Sequence, residues 1–557
     1  MLPGSFRRPS ASRWWLLTYL LPGLLVGLLT ARPARAQAPA VVPATAADTT
    51  DYARRYAATI TPAGLEKHLR ILASDEYEGR ETGQRGQKMA AAYLARQFDA
   101  AGVPPPPGLG GGGNPHYQGF RLLRTRWRGA ELRTGKKELA YLGDFYPVGR
   151  VGTARALKLP VVFAAFGIGQ ESGSDYAGLD VRGRAVVVLE GEPTDARGTS
   201  RLGTGRNPRA LDVNGKIATA AQQGAAAIII ISSRTPDAFE AWMTQRAARL
   251  REEKLLLPDP ETAAAPAIPA VLVGPAQGAA LLGTTVSALT QYRQAVAREG
   301  FPLAAKEFGT KQKIRLRLQL DTASVGTENV LGFVEGTDKR DEVVVLSAHY
   351  DHLGQHEGQV FNGADDDGSG TTAVLAMAEA FAQAKRDGHG PRRSLLFLAV
   401  TGEEKGLLGS EFYTDHPVLP LAATVADLNT DMIGRQDETH PDPNYVYLIG
   451  DDKLASDLHR INETQNRRYT RLKLDYTFND PADPNQFYYR SDHYNFARKG
   501  IPVAFYFNGV HADYHKETDE VSKILFPVMA RRTRLVFHTA WEVANREERL
   551  KVDSNKK

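Results

Sequence analysis

The chain has 557 residues, 42% hydrophobic and 24% charged, with a formal net charge of +5 and no cysteine. Without cysteine there is no disulfide framework, no thiolate metal site and no cysteine nucleophile, so stability rests on core burial. The net charge is carried by Arg7, Arg8, Arg13, Arg32 and Arg35, in a stretch with no acidic residue, so the pI of about 9.0 gives no ground for a nucleic-acid partner.

In chain order, residues 1–36 read as a cleaved secretory signal. Arg7, Arg8 and Arg13 precede an apolar run from Trp14 to Leu29, and Ala34-Arg35-Ala36 supplies a small-x-small cleavage pattern. The run is short of the roughly 20 residues a spanning helix needs. The expectation is an exported protein, secreted or periplasmic, with no stable membrane anchor after cleavage. About 520 residues remain, room for two or three domains at ~100–200 residues each.

Residues 37–60 open on an Ala/Pro/Thr-rich stretch and are expected to be flexible. Residues 61–156 begin the main domain with helical periodicity, Leu65, Leu69 and Leu72 in one segment and Met89, Tyr93 and Leu94 in the next. Pro104–Gly113 is a surface loop. From 157 to 287, short apolar runs at Leu159–Phe166, Ala185–Leu189, Ala226–Ile231 and Ala270–Val273, with a helical segment at Lys216–Gln223, predict a small separate inserted module. Asp237–Pro260 is a charged, helix-like elaboration of it. The main domain resumes over 288–548. Lys313–Asp321 alternates, Ile314, Leu316, Leu318 and Leu320 against Lys313, Arg315, Arg317 and Gln319, as in a half-buried antiparallel strand. Helical stripes follow at Val374, Met377, Ala378 and Phe381 and from Val528 to Val543, and 549–557 is a polar tail.

The chemistry lies between Ser347 and Asp431, in polar clusters that each begin where an apolar run stops. Val343–Leu346 precedes His349-Tyr350-Asp351-His352, Leu395–Val400 precedes Thr401-Gly402-Glu403-Glu404, and Val425–Leu428 precedes Asn429-Thr430-Asp431, with Asp365-Asp366-Asp367-Gly368-Ser369-Gly370 between the first two. Such runs read as buried strands of a largely parallel sheet, whose carboxyl ends form the crevice where α/β folds hold ligands. Two divalent ions a few ångströms apart need a shared carboxylate and terminal ligands, and His349, Asp366, Glu404, Asp431 and His515 are the candidates. Glu403, next to a ligand candidate, is the candidate general base. Singly, each has a bland reading: a loop histidine, a solvated Glu-Glu turn, an Asp-rich helix cap. Packing does not call for the same chemistry at successive strand ends, so the set carries the argument.

These signatures, with Glu403-Glu404-x-Gly406-Leu407-x-Gly409-Ser410, Arg490-Ser491-Asp492-His493, Asp513-Tyr514-His515 and Leu72-Ala73-Ser74-Asp75-Glu76-x-x-Glu-Gly-Arg-x-Thr-Gly83, resemble the secreted two-zinc aminopeptidases. That group also includes glutamate carboxypeptidase and the transferrin receptor. The resemblance implies an α/β three-layer sandwich around a mixed, mostly parallel sheet, and two Zn2+ per chain. It implies that Asp366 bridges the ions, with His349 and Asp431 completing one site and Glu404 and His515 the other. A metal-bridging hydroxide would attack peptide substrates, Glu403 would move the proton, and Tyr514 would stabilise the oxyanion. Asp351 would accept the second N–H of His349 and fix its tautomer. His352 and His356 are expected at the rim, and Ser491-Asp492 as an N-cap before His493, itself a structural residue.

Residues 157–287 resemble the protease-associated (PA) domain inserted in many of these enzymes, through Tyr176–Val188, Lys216-Ile217, Gly224–Ile230 and Ile268–Val271. The activity implied is that of an exported exopeptidase, foremost an aminopeptidase. A carboxypeptidase of the same fold would need a basic pocket for the substrate carboxylate. A glutaminyl cyclase uses one zinc, and a noncatalytic receptor-like module would have lost ligands; the full set speaks against both. No residue pattern specifies the oligomeric state or the preferred side chain.

Overall fold

The apolar runs become strands and the periodic segments helices in the computed structural model. It describes residues 50–554 except 111–112, 171–172, 196, 201, 203–210, 259–265, 300–307 and 309–311. The signal stretch 1–36, the chain to residue 49 and the end of the polar tail therefore lie outside the described residues. Among the described residues no helix is long and apolar enough to cross a membrane.

Helix α1 (Pro62–Leu72) starts from Thr61, whose hydroxyl accepts the Gly64 N–H at 3.1 Å, with Pro62 at the first helical position. Helix α2 (Arg85–Ala101) follows, then β1 (Tyr117–Thr134), β2 (Phe145–Val148), β3 (Leu157–Phe163), β4 (Ala185–Leu189), α3 (Val213–Gln222), β5 (Ala227–Ile231), α4 (Pro236–Arg251) and β6 (Ala270–Val273). The long strand β7 (Lys313–Val334) leads into β8 (Lys339–His349), α5 (Gly368–Arg386), β9 (Arg393–Val400), α6 (Leu408–Asp415), β10 (Thr424–Thr430), β11 (Tyr445–Ile449), β12 (Lys473–Asp475), β13 (Val503–Phe507) and α7 (Phe526–Asn545).

These strands make one sheet in the order β12-β11-β13-β10-β8-β9-β7-β3-β4-β5-β6-β2, with β1 along β7. Around the site it is parallel: β8 pairs with β9 and β10, and β10 with β13. Both faces are covered. Val344, Leu346 and Ala348 of β8 pack in the cluster that holds α1, α2, α5 and α7, whereas Val343 and Val345 pack with Tyr413 of α6 and Phe496. Near-continuous burial of β8, β9 and β10 is why their sequences read as unbroken apolar runs.

Three expectations need correction. The inserted module does not have a sheet of its own: β7 pairs with β9 through Val330–Val334 and with β3 through Lys313–Leu316, so one strand joins the module to the sheet of the site. Residues from 52 on are not loose, because Tyr52–Ala57 is helical and the buried Tyr56 stacks on Trp541 and donates its phenol proton to Asp387 at 2.9 Å. Asp237–Pro260 is helix only to Arg251, since Lys254–Leu256 turns into a short strand on β1.

Candidate active site

His349 ends β8, Glu403 and Glu404 follow β9, Asp431 follows β10, and His515 lies in the loop after β13. Asp365, Asp366 and Asp367 precede α5, and the two outer ones serve the backbone. Asp367 caps α5 by accepting the Gly370 N–H at 2.8 Å, and takes the N–H of Met432 at 3.1 Å and of His349 at 3.3 Å. Asp365 accepts the Gly434 N–H at 2.6 Å through Oδ1, and its Oδ2 stands 3.2 Å from His511 Nε2. Asp519 Oδ2 accepts the N–H groups of Asp365 and Asp366 at 3.0 and 3.1 Å. The carboxylate of Asp366 is thereby left for the cleft.

Its two oxygens face different partners. Oδ1 lies 3.3 Å from His349 Nε2, which is also 3.7 Å from Asp431 Oδ1. Oδ2 lies 3.1 Å from His515 Nε2, which is 3.2 Å from Glu404 Oε2. All five predicted ligands thus converge, as two donor sets sharing one carboxylate. Imidazole nitrogen and carboxylate oxygen in this arrangement fit a pair of divalent ions such as zinc. Glu403 Oε2 stands 3.9 Å from His349 Nε2, facing the first set.

The two adjacent glutamates have opposite acidities. Burial holds the Glu403 carboxyl well above the usual range, with Glu404 and Asp431 adding to the rise against the pull of His349. Glu404 is also buried and near Asp366, but hydrogen bonding to His352 and His515 outweighs both and brings it down to about 2. One carboxyl is thus suited to holding a proton and the other to staying a ligand. Burial opposes the charged form of His515, yet Asp366 and Glu404 push it up to about 10.

Other sequence expectations meet a different geometry. The second nitrogen of His349 is 3.1 Å from the main-chain carbonyl of Asp351, and 3.8 Å from its carboxylate. That carboxylate accepts instead from the Thr82 hydroxyl at 2.7 Å and the Glu403 N–H at 3.3 Å, so it braces the loop that carries Glu403. His352 is not a rim residue. It is fully buried with Nδ1 2.8 Å from Glu404 Oε1, whereas His356 is exposed and bonds to the Leu353 carbonyl. Sequence reasoning missed His352 because a second histidine just past a strand end carries no mark of which way it turns. Asp492 makes no side-chain cap for the helix at His493–Ala497, and Ser491 donates to Asp431 Oδ2 at 2.7 Å. His493 is structural: it is buried against Phe505, and burial takes it down to about 3.

The stretch Leu72–Gly83 has a role too. Arg80 is fully buried and donates to the carbonyls of Leu72, Tyr350, Asn362 and Gly363, so it ties the N-terminal segment to the loops on either side of the site. A cleft opens beside the ligand cluster. Asp366, Glu403 and Asp431 line one part, Met432, Phe487, Phe505 and Phe507 an apolar part, and Arg490 and Tyr514 lie between them in chemistry. Tyr514 stacks on His515, and its hydroxyl is 3.4 Å from the Arg490 guanidinium.

Residues 329–540 match the profile of peptidase family M28, and residues 157–281 that of the PA domain. Among curated proteins, a probable leucine aminopeptidase 2 of Aspergillus oryzae is 33% identical over 190 residues, 33% of this chain and 34% of the relative. The leupeptin-inactivating enzyme 1 of Streptomyces exfoliatus is 35% identical over 173 residues, 30% of this chain and 34% of the relative. The chain therefore spans about a third of the length of these two relatives. An aminopeptidase of Aneurinibacillus sp. strain AM-1 shares the fold, with a TM-score of 0.52 at 17% identity over 90% of this chain and 98% of that one.

Proposed function

We propose that this chain, whose residues 329–540 match peptidase family M28 and whose residues 157–281 match the PA domain, is an exported two-zinc aminopeptidase. The observation that supports it most is Asp366, one oxygen toward His349 and the other toward His515. His349, Asp366 and Asp431 would hold one ion, and Asp366, Glu404 and His515 the other. When bound, such a pair supplies Lewis acidity toward a peptide carbonyl and acidifies water.

The chain's own groups do the rest. Glu403, with its raised carboxyl pKa, takes the proton of the attacking water and delivers it to the leaving amine. Tyr514, in the same cleft, donates its phenol proton as a hydrogen bond to the oxyanion. The apolar wall of Met432, Phe487, Phe505 and Phe507 receives the side chain of the N-terminal residue of a peptide. Export rests on the signal-like sequence of residues 1–36.

Glu403→Ala should keep both zincs and lose about 10²–10⁴-fold in kcat. A variant with wild-type turnover would remove Glu403 from the reaction. Arg490 in the cleft favours one second reading, a carboxypeptidase whose substrate carboxylate pairs with this guanidinium. Free-amine aminoacyl substrates and N-blocked free-carboxylate peptides, each with and without chelator and zinc re-addition, separate the two. Chelator-sensitive cleavage of the free-amine set alone supports the aminopeptidase, and cleavage of the blocked set alone the carboxypeptidase.

A further inference from the structure

A line of buried side chains leads from Asp431 to a second acid, Asp427, on the same strand. Ser491 Oγ donates to Asp431 Oδ2 at 2.7 Å, and Asn429 Nδ2 donates to Ser491 Oγ at 2.9 Å. Ser347 Oγ, across the β8–β10 pair, is 2.9 Å from Asn429 Oδ1 and 2.7 Å from Asp427 Oδ1. Ser347, Asp427, Asn429 and Ser491 are all buried, away from bulk solvent, so the contacts along the line carry their hydrogen bonding.

The direction of each bond follows from the one before it. As a metal ligand Asp431 is ionised and only accepts, so Ser491 must spend its single proton there. Ser491 Oγ can then only accept, which turns the Asn429 amide with Nδ2 toward it. Asn429 Oδ1 is left facing Ser347 and also only accepts, so Ser347 gives its single proton to Asn429. One contact remains, from Ser347 Oγ to Asp427 Oδ1, and it is a hydrogen bond only when Asp427 carries the proton. An ionised Asp427 would set two acceptors against each other somewhere along the line and leave a buried charge.

The groups facing Asp427 bring no positive charge to offset one: they are the Ser347 hydroxyl from β8, the Asp492 carboxylate from the turn before His493, and the Tyr413 phenol from α6. Among the described residues Asp427 Oδ2 has no hydrogen-bond partner, which a neutral carboxyl tolerates far better than a carboxylate. Burial pushes the Asp427 carboxyl up to about 8 even with Ser347 counted as a donor to it, and Asp492 adds to the rise.

We propose that Asp427 is a neutral carboxylic acid and a positioning residue for the metal centre: its proton orders Ser347, Asn429 and Ser491, and so holds Asp431 with Oδ2 engaged and Oδ1 free for the ion. The inference rests on the two-zinc reading, because it starts from Asp431 as a ligand. The test uses the full chain, with zinc affinity read by competition with a chromophoric chelator and the carboxyl read by infrared difference spectroscopy near neutral pH.

Asp427→Asn presents an N–H to Ser347 in place of the acid proton and is expected to hold zinc within about 2-fold of wild type. Asp427→Leu breaks the line and is expected to lose about 10–100-fold at one of the two sites. The wild type should show the carbonyl band of a protonated carboxylic acid that Asp427→Asn lacks. If Asp427→Leu does not fold, Ser347→Ala interrupts the next link with the same expected loss. Equal losses in Asp427→Asn and the line-breaking variant, or absence of the band, overturn the inference alone. A wild-type chain that bound no zinc would overturn the two-zinc reading, and this inference with it.

Discussion

Asp366 owes its freedom to the neighbours that do the structural work around it. Asp519 holds the two N–H groups at Asp365 and Asp366, and Asp519→Ala would leave both donors buried and unpaired. A loss of about 2–4 kcal/mol in urea unfolding is expected, and a loss under 0.5 kcal/mol would show that the backbone holds itself. Asp427 makes a prediction of opposite sign to an ordinary carboxylate. Its pKa is about 8 in the folded chain, against about 3.8 when unfolded, so the folded state binds the extra proton between those values. The stability it contributes is complete below about pH 4 and is lost as pH rises toward 8, at up to ~1.4 kcal/mol per unit. Asp427→Asn should remove that slope, which urea unfolding from pH 5 to 8 reads directly, and an unchanged slope would mean that Asp427 ionises freely. At this scale the sequence was informative where chemistry repeats: His349, Asp366, Glu404, Asp431 and His515 all stand in the cluster. It was silent on orientation, which is why the Asp351 carboxylate points to Thr82 and why His352 is inside.

The elements around the glutamate loop are held by close backbone approach. Gly409, in the first turn of α6, sits where a Cβ would run into the Thr401 carbonyl oxygen, and its own carbonyl accepts from Asn329 of β7. Asn329 also accepts the Thr401 N–H at 3.2 Å, so one side chain links β7, the end of β9 and α6. Gly409→Ala should cost about 1–3 kcal/mol by overpacking and lower activity with it by shifting Glu403. A variant with wild-type stability in urea would show that the turn has slack. The core strands were legible because burial on both faces writes itself as continuous apolar sequence. The upper part of β7 was legible for the opposite reason, a clean alternation with Ile314, Leu316 and Leu318 buried. What no local pattern could carry was pairing: that β1 lies along β7 from Tyr117 to Thr134 depends on partners far apart in sequence.

At the scale of the molecule, the ribbon of β1 and β7 makes the PA region part of the same sheet. Leu132, Ile314, Leu316 and Leu318 share a cluster with Leu159, Val161 and Phe163, so excising 157–287 strips one apolar face of the ribbon. The shortened chain is expected to aggregate on size-exclusion chromatography, and a monodisperse, active product would mean that the peptidase part closes on its own. The short apolar runs from 157 to 287 raised the expectation of an insertion, whereas the shared sheet left no signal, because an insertion in sequence carries no trace of whether its strands join the host.

The order of the cluster along the chain has a consequence in time. His349 is synthesised first, the aspartates and glutamates follow, and His515 comes only after β13. A growing polypeptide therefore holds only part of the cluster until residue 515 has been added and β13 has paired. If the cluster works as proposed, its chemistry begins only with the closing of the fold.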